Sequence, residues 1–104
     1  MAVDTGIHAK GWSFEKASQF FSENTGYASG DIVDPEQQIA RYIVWPGQST
    51  AYEIGFIKIL ELRQRAKDQM GARFDLKEFH QVLLGNGSMP LDVLEQVVEA
   101  YIAK

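Results

Sequence analysis

The chain of 104 residues contains no cysteine and only two histidines. Without cysteine, neither a disulfide framework nor a thiolate metal site is possible. The two histidines, His8 and His80, lie far apart, whereas zinc hydrolases commonly place two histidines four residues apart on one helix with a glutamate beside the first. The sequence therefore predicts no metal site within this chain.

Positive charge and long apolar runs are also scarce. The net charge of −4 and the pI near 5.0 argue against a nucleic-acid binder, which would carry a basic stripe. No apolar run approaches the roughly 20 residues of a membrane span. The start, "MAVDTGIHAKGW", lacks the pattern of a signal peptide. Cytoplasmic is thus the default localisation for this chain, and an export signal further upstream is left open.

The sequence lacks the usual motifs of nucleophilic catalysis. No serine stands in a Gly-x-Ser-x-Gly elbow, and "GNGSMP" has no lysine of the kind that a phosphate-binding loop requires. A small hydrolase complete in itself therefore ranks last among the functional hypotheses.

Helical periodicity is what the sequence does contain, in a globular composition with 45% hydrophobic residues. Five helical stretches and no strand alternation predict a single all-α domain over residues 1–104, arranged as an irregular bundle. The predicted helices begin near Ser13, Asp34, Gln48, Asp75 and Pro90.

The longest predicted helix covers residues 48–70, with Gly71 as its stop. Its apolar residues are spread too widely around the first half for a surface helix, so this half is expected to be central and buried. The half that reads "LRQRAKDQ" is expected to be amphipathic. Gly55 is expected to allow a close backbone approach.

The stretch from Arg41 to Gly55, "RYIVWPGQSTAYEIG", interrupts a helical pattern with proline and glycine. Such a break either connects two helices or shapes a site, because proline and glycine both disfavour a helix interior. Gln48 and Tyr52 are four residues apart and so share a helix face, while Arg41 offers two parallel hydrogen bonds to a carboxylate. The alternative is that Tyr42, Trp45 and Tyr52 are core aromatic residues.

His8 follows "DTGI", a run of small residues that is ill suited to a stable isolated helix. On the residues alone, a structural role for His8 is favoured over a catalytic one.

Four segments resemble the C-terminal end of a bacterial family, domain of unknown function 885. They are "VDTGIHAKGWSFEKA" at 3–17, "RYIVWPGQSTAYEIG" at 41–55, "KILELRQRA" at 58–66 and "FDLKEFHQVLLGNGSMPLDVLE" at 74–95. The resemblance covers essentially the whole chain. Members of the family look like zinc peptidases of the gluzincin type, are several times longer, and carry a His-Glu…His zinc helix upstream of the matched region.

The resemblance implies that this chain is the C-terminal, substrate-side part of a larger helical peptidase, inactive alone and without zinc of its own. By analogy, His8 and Tyr52 would supply hydrogen bonds to the substrate or transition state, and Arg41, Tyr42 and Gln48 would bind substrate. The implied partners are a peptide substrate and the zinc-binding remainder of the polypeptide. Many relatives look like exported lipoproteins.

A second hypothesis is a non-catalytic helical module that binds a partner through its aromatic face. A fragment of a larger core is expected to self-associate through an exposed apolar face. A monodisperse monomer without such a face would favour the module.

Overall fold

The computed structural model describes all residues from Met1 to Lys104 and contains six α-helices and no strand. The helices are α1 (Ala2–Lys10), α2 (Phe14–Thr25), α3 (Pro35–Val44), α4 (Gln48–Met70), α5 (Leu76–Leu84) and α6 (Leu91–Ile102), with a 3₁₀ turn at Gly71–Arg73. The all-α prediction is confirmed. The five predicted helices are α2 to α6, and α1 is an addition to them.

Local capping signals explain where three of the helices begin or end. Asp34 accepts a hydrogen bond from the Glu36 amide at the start of α3, and Asp75 accepts one from the Glu78 amide at the start of α5. These bonds satisfy amides that have no partner within the helix. Gly26 ends α2 with a φ of 77°, a conformation that glycine adopts without steric cost.

The helix α1 forms where the sequence favoured no stable isolated helix, because it packs on α2 and α3. Gly6 lies against the Trp12 ring so closely that an added Cβ would stand 2.4 Å from ring carbons. The Trp12 amide also donates to the Gly6 carbonyl at 2.9 Å. Tertiary contact therefore outweighs the weak local propensity of "DTGI".

The chain divides into two compact units, Met1–Glu53 and Ile54–Lys104. The single domain predicted for residues 1–104 stays a prediction. The first unit has a small core of Val3, Ala17 and Ile39, against which five partly buried residues pack: Ile7, Trp12, Phe20, Phe21 and Tyr42. The second unit has a larger core formed by Leu62, Ala66, Met70, Phe79, Leu94, Val98, Tyr101 and Ile102.

The expectation that the first half of α4 is buried is wrong for this chain. The buried residues of α4 are Leu62, Ala66 and Met70, all in its second half. The large apolar residues of the preceding turns are exposed, among them Phe56 and Leu60. No backbone approaches Gly55 either, because a Cβ added there would meet nothing within 4 Å.

The second unit also carries an ion-pair cluster between α4 and α6. Lys58 and Arg65 each lie 2.8 Å from a carboxylate oxygen of Glu95, and Arg65 contacts Glu61 and Glu99 as well. The hydrogen bond from Lys58, then that from Arg65, holds the pKa of Glu95 below its ordinary value. Because these side chains are partly exposed, the cluster is expected to add little stability.

Candidate functional site

The buried carboxylate of Asp4 organises the first unit around the start of α4. Asp4 is 2% exposed. Its oxygens accept hydrogen bonds from the Gly47 amide at 3.1 Å, from the Thr50 amide at 3.3 Å and from the Thr50 hydroxyl at 2.9 Å. The Ser49 hydroxyl donates a fourth bond at 3.3 Å. A side chain from α1 thus caps a helix that begins 44 residues later in the sequence, at Gln48.

Electrostatics keep Asp4 ionised despite its burial. Burial by itself raises the pKa of this carboxyl, but the hydrogen bonds from Gly47, Thr50 and Ser49 outweigh it and lower the pKa below 3.8. A carboxylate at a helix N-terminus is also favoured by the helix dipole. The N-terminus of α4 is therefore occupied by this chain's own anion.

The Pro46-Gly47 break connects two helices. Trp45 closes α3, and the Gln48 amide at the start of α4 donates to the Trp45 carbonyl at 3.3 Å. Gly47 has a φ of 79°, which an L-residue with a side chain rarely adopts. Its amide thereby reaches Asp4. The tight turn and the Asp4 cap together fix where α4 begins.

His8 bonds to the backbone of α3. Its Nε2 lies 2.8 Å from the Tyr42 carbonyl oxygen and 3.6 Å from Asp4 Oδ1. Because a carbonyl only accepts hydrogen bonds, Nε2 carries the hydrogen. In a neutral imidazole, Nδ1 is then an acceptor, and it becomes a donor only when the ring is protonated. The side chain is 31% exposed, so His8 bridges the buried cluster and the surface.

Arg41 and Gln48, both predicted as substrate-binding residues, contact each other directly. Arg41 Nη1 donates to Gln48 Oε1 at 2.8 Å, and Nη2 donates to Gln38 Oε1 at 3.0 Å. The guanidinium lies 4.9 Å from the centre of the Tyr42 ring, within the range of a cation–π contact. The Arg41 side chain is thus held by three contacts within this chain.

Tyr52 lies on α4 one helical turn after Gln48 and is 74% exposed. Its hydroxyl makes no hydrogen bond within the chain. The interpretation of Trp45 and Tyr52 as core residues is wrong, because both are exposed. Tyr42, by contrast, packs against the core of the first unit.

The residues that the sequence pattern missed are Asp4 and Gly6. Both belong to the "DTGIH" motif that carried the family resemblance, but nothing in their spacing indicates the contacts with Gly47, Thr50 and Trp12. The only signal for them in the sequence is their place in that motif.

The chain's own side chains do not fit a zinc ion. No group of three or more histidine, cysteine, aspartate or glutamate residues is placed to hold a metal. Of the residues around the start of α4, Asp4 is buried, whereas Tyr52 is exposed. None of the helices combines the length and apolarity needed to cross a bilayer.

The structure thus shows an all-α region in which the buried carboxylate of Asp4 caps the longest helix. Arg41 and Gln48 lie beside the start of that helix, and Tyr52 follows one turn later. A family model described as "Bacterial protein of unknown function (DUF885)" matches residues 1–98, and the chain belongs to this family. The family predicted from the sequence motifs is thus confirmed.

A solved structure extends the comparison. It is described as the crystal structure of "the putative lipoprotein from Colwellia psychrerythraea", and the alignment gives 46% sequence identity and a TM-score of 0.92. The match covers 97% of this chain and 17% of that chain. The present chain therefore spans a small part of the length of this relative. Among curated proteins, no significant match is found.

Proposed function

We propose that this chain is the substrate-side helical part of a zinc-dependent peptidase, with the metal held by residues outside it. The observation that supports this most is the arrangement at the start of α4. The Asp4 cap fixes the first turns, Gln48 is hydrogen-bonded to Arg41, and the Tyr52 hydroxyl is exposed without a partner. Oriented donors beside an exposed phenol suit recognition of a peptide and its carbonyl oxygens.

Each residue has a distinct proposed role. Tyr52 donates to the substrate oxygen on which negative charge develops, because its hydroxyl is free to do so. His8 acts through Nδ1, since Nε2 is engaged by the Tyr42 carbonyl, and it donates only in its protonated form. Zinc bound elsewhere in the longer protein would polarise the scissile carbonyl and activate water.

Arg41 recognises a negatively charged group of the substrate. Its guanidinium keeps further N–H groups beyond the two bonds to Gln38 and Gln48, and these can bind a carboxylate of the peptide. Gln48 orients Arg41 and is available to the same substrate group. Tyr42 is a second-choice donor, with its ring beneath the guanidinium.

The test is peptidase turnover in a full-length family member that contains this sequence. Tyr52→Phe and His8→Ala are each expected to reduce turnover by at least ~100-fold, the size of a lost oxyanion donor. Tyr27→Phe is the matched control, because Tyr27 is also exposed but lies in the loop between α2 and α3. Zinc content is measured for each variant. Near-normal turnover of both variants with intact zinc would refute these roles.

A second candidate function is supported by the exposed apolar residues at the end of α3. Val44 and Trp45 are exposed and line a surface groove of about 300 Å³ together with Ala40 and Arg41. A non-catalytic module would use this groove to bind a partner. Light scattering of the isolated chain separates the two hypotheses, because a monodisperse monomer favours the module and self-association favours the peptidase part.

The relative described as a lipoprotein supports an exported location for the longer protein.

A further inference from the structure

In the second unit, α4 exposes a stripe of large apolar side chains that continues into two basic residues. We define the α4 face by Phe56, Ile57, Leu60, Arg63 and Lys67. The exposed fractions of Phe56, Ile57 and Leu60 are 57%, 51% and 44%. Positions 56, 60, 63 and 67 recur at intervals of four and three residues, so they lie on one side of the helix. Contiguous apolar surface of this kind marks an interaction site.

The two cations of the α4 face lack acidic partners, unlike their neighbours on the same helix. Lys58 and Arg65 are paired with glutamates, whereas neither Arg63 nor Lys67 has a carboxylate within 4.0 Å. Arg63 Nε is buried and has no hydrogen-bond partner. Because buried donors in proteins are nearly always paired, an acceptor is missing here.

The surface beside these residues is concave. A groove of about 500 Å³ is lined by Ile57, Leu60, Glu61, Arg63, Gln64 and Lys67. The lining has two cations, Arg63 and Lys67, against the single carboxylate of Glu61, which is already ion-paired with Lys58 and Arg65, so the unpaired charge of the groove is positive. An occupant that fits this groove is apolar along its length and carries a carboxylate at the end near Arg63.

We infer that the α4 face is covered by a segment of the same, longer polypeptide, which packs apolar side chains on Phe56 and Leu60 and brings a carboxylate to Arg63. The solved relative supports this occupant, because the region matched here makes up 17% of that chain and most of its residues lie elsewhere. The inference concerns packing alone and stands whether or not the protein is a peptidase.

Cysteine accessibility tests the inference, since the chain has no cysteine of its own. In the isolated chain, Leu60→Cys is expected to react with a maleimide as an exposed thiol does. At the aligned position of a full-length family member, such as the solved relative, the reaction is expected to be at least ~100-fold slower, because labelling requires local opening. Peptide mass spectrometry identifies the labelled site. Gln96→Cys, at an exposed polar position on α6, is the control and should stay reactive.

Equal reactivity of Leu60→Cys in both proteins would overturn the inference. Protection of the full-length protein that is lost on dilution would identify a second copy as the occupant and would also overturn it. Ile57→Cys provides an independent site if Leu60→Cys fails to fold in the longer protein.

A thermal-stability measurement tests the carboxylate. Arg63→Met is expected to lower the thermal midpoint of the full-length protein, with partial rescue by Arg63→Lys. The isolated chain should show no such change, and equal effects in both would contradict a carboxylate supplied from outside.

Discussion

Replacing Asp4 tests whether a buried carboxylate holds the start of α4 in place. Asp4→Ala removes the acceptor of four hydrogen bonds and leaves the Gly47 and Thr50 amides without it. Hydrogen bonds to a charged group contribute roughly 1.5–3 kcal/mol each, and a lost N-cap alone costs about 0.5–2 kcal/mol. Since such terms are not additive, we expect Asp4→Ala to lower the free energy of unfolding by about 3 kcal/mol.

The near-isosteric Asp4→Asn is expected to lose about half as much. Its amide oxygen can still accept from one or two of the donors, whereas its NH₂ group faces other N–H and O–H groups. A loss of about 3 kcal/mol in a unit this small corresponds to a fall in thermal midpoint of more than ~10 °C.

The assay is denaturant unfolding followed by tryptophan fluorescence. Both tryptophans, Trp12 and Trp45, belong to the first unit, so the signal reports the part of the chain that contains Asp4. Glu53→Ala is the control, since Glu53 belongs to the same unit, lies within α4 and makes no side-chain hydrogen bond or ion pair. An Asp4→Ala variant within ~0.5 kcal/mol of the parent, the range of ordinary surface substitutions, would refute the reasoning.

The pH dependence follows from the lowered pKa of Asp4. A carboxyl group whose pKa is lower in the folded state contributes stability that is fully present above its unfolded-state pKa. The difference in stability between the parent and Asp4→Ala should therefore be constant near neutral pH. It should begin to shrink as the pH approaches 3.8 and continue to fall through the lower, folded-state pKa.

Two further predictions concern the close approach of Trp12 and the ion-pair cluster. Gly6→Ala is expected to lower the free energy of unfolding by about 1–3 kcal/mol in chemical denaturation, because the new Cβ would overlap the Trp12 ring. Gly55→Ala is the control and should be neutral or slightly stabilising, because a Cβ there meets nothing within 4 Å. Equal effects of the two substitutions would contradict this account. Glu95→Gln is expected to lower the thermal midpoint at low ionic strength, because it removes the charge that pairs with Lys58 and Arg65. The difference in midpoint between the parent and the variant should shrink at about 0.5 M NaCl. A difference that does not depend on salt would show that the charge is not responsible.

The helix boundaries could be predicted where the signals are local. The Phe74–Asp75–Glu78–Phe79 pattern is typical of a capped helix start with a hydrophobic contact, and the structure has both, with the two phenylalanine rings 5.9 Å apart. Asp34 with Pro35 at the start of α3, and Gly26 at the end of α2, are local signals of the same kind. All of these interactions join residues within one or two helical turns, so a short window of sequence contains both partners.

The candidate site could be predicted only in part. His8, Arg41, Gln48 and Tyr52 stood out as polar residues in specific motifs, and the face shared by Gln48 and Tyr52 follows from helical periodicity. The contact of Arg41 with Gln48 crosses a helix break, and that of His8 with the Tyr42 carbonyl joins residues 34 positions apart. No periodic pattern predicts a contact of that kind.

The helical class, the places of five helices and the family could be predicted from the residues, because they depend on local capping, periodicity and motif identity. That "DTGIHAK" is a helix, that Asp4 caps α4 and that the first half of α4 is exposed in this chain became evident only from the folded chain. The physical reason is that apolar periodicity records a preference for burial but does not identify the partner. Which surface is covered depends on contacts between residues that are distant in the sequence.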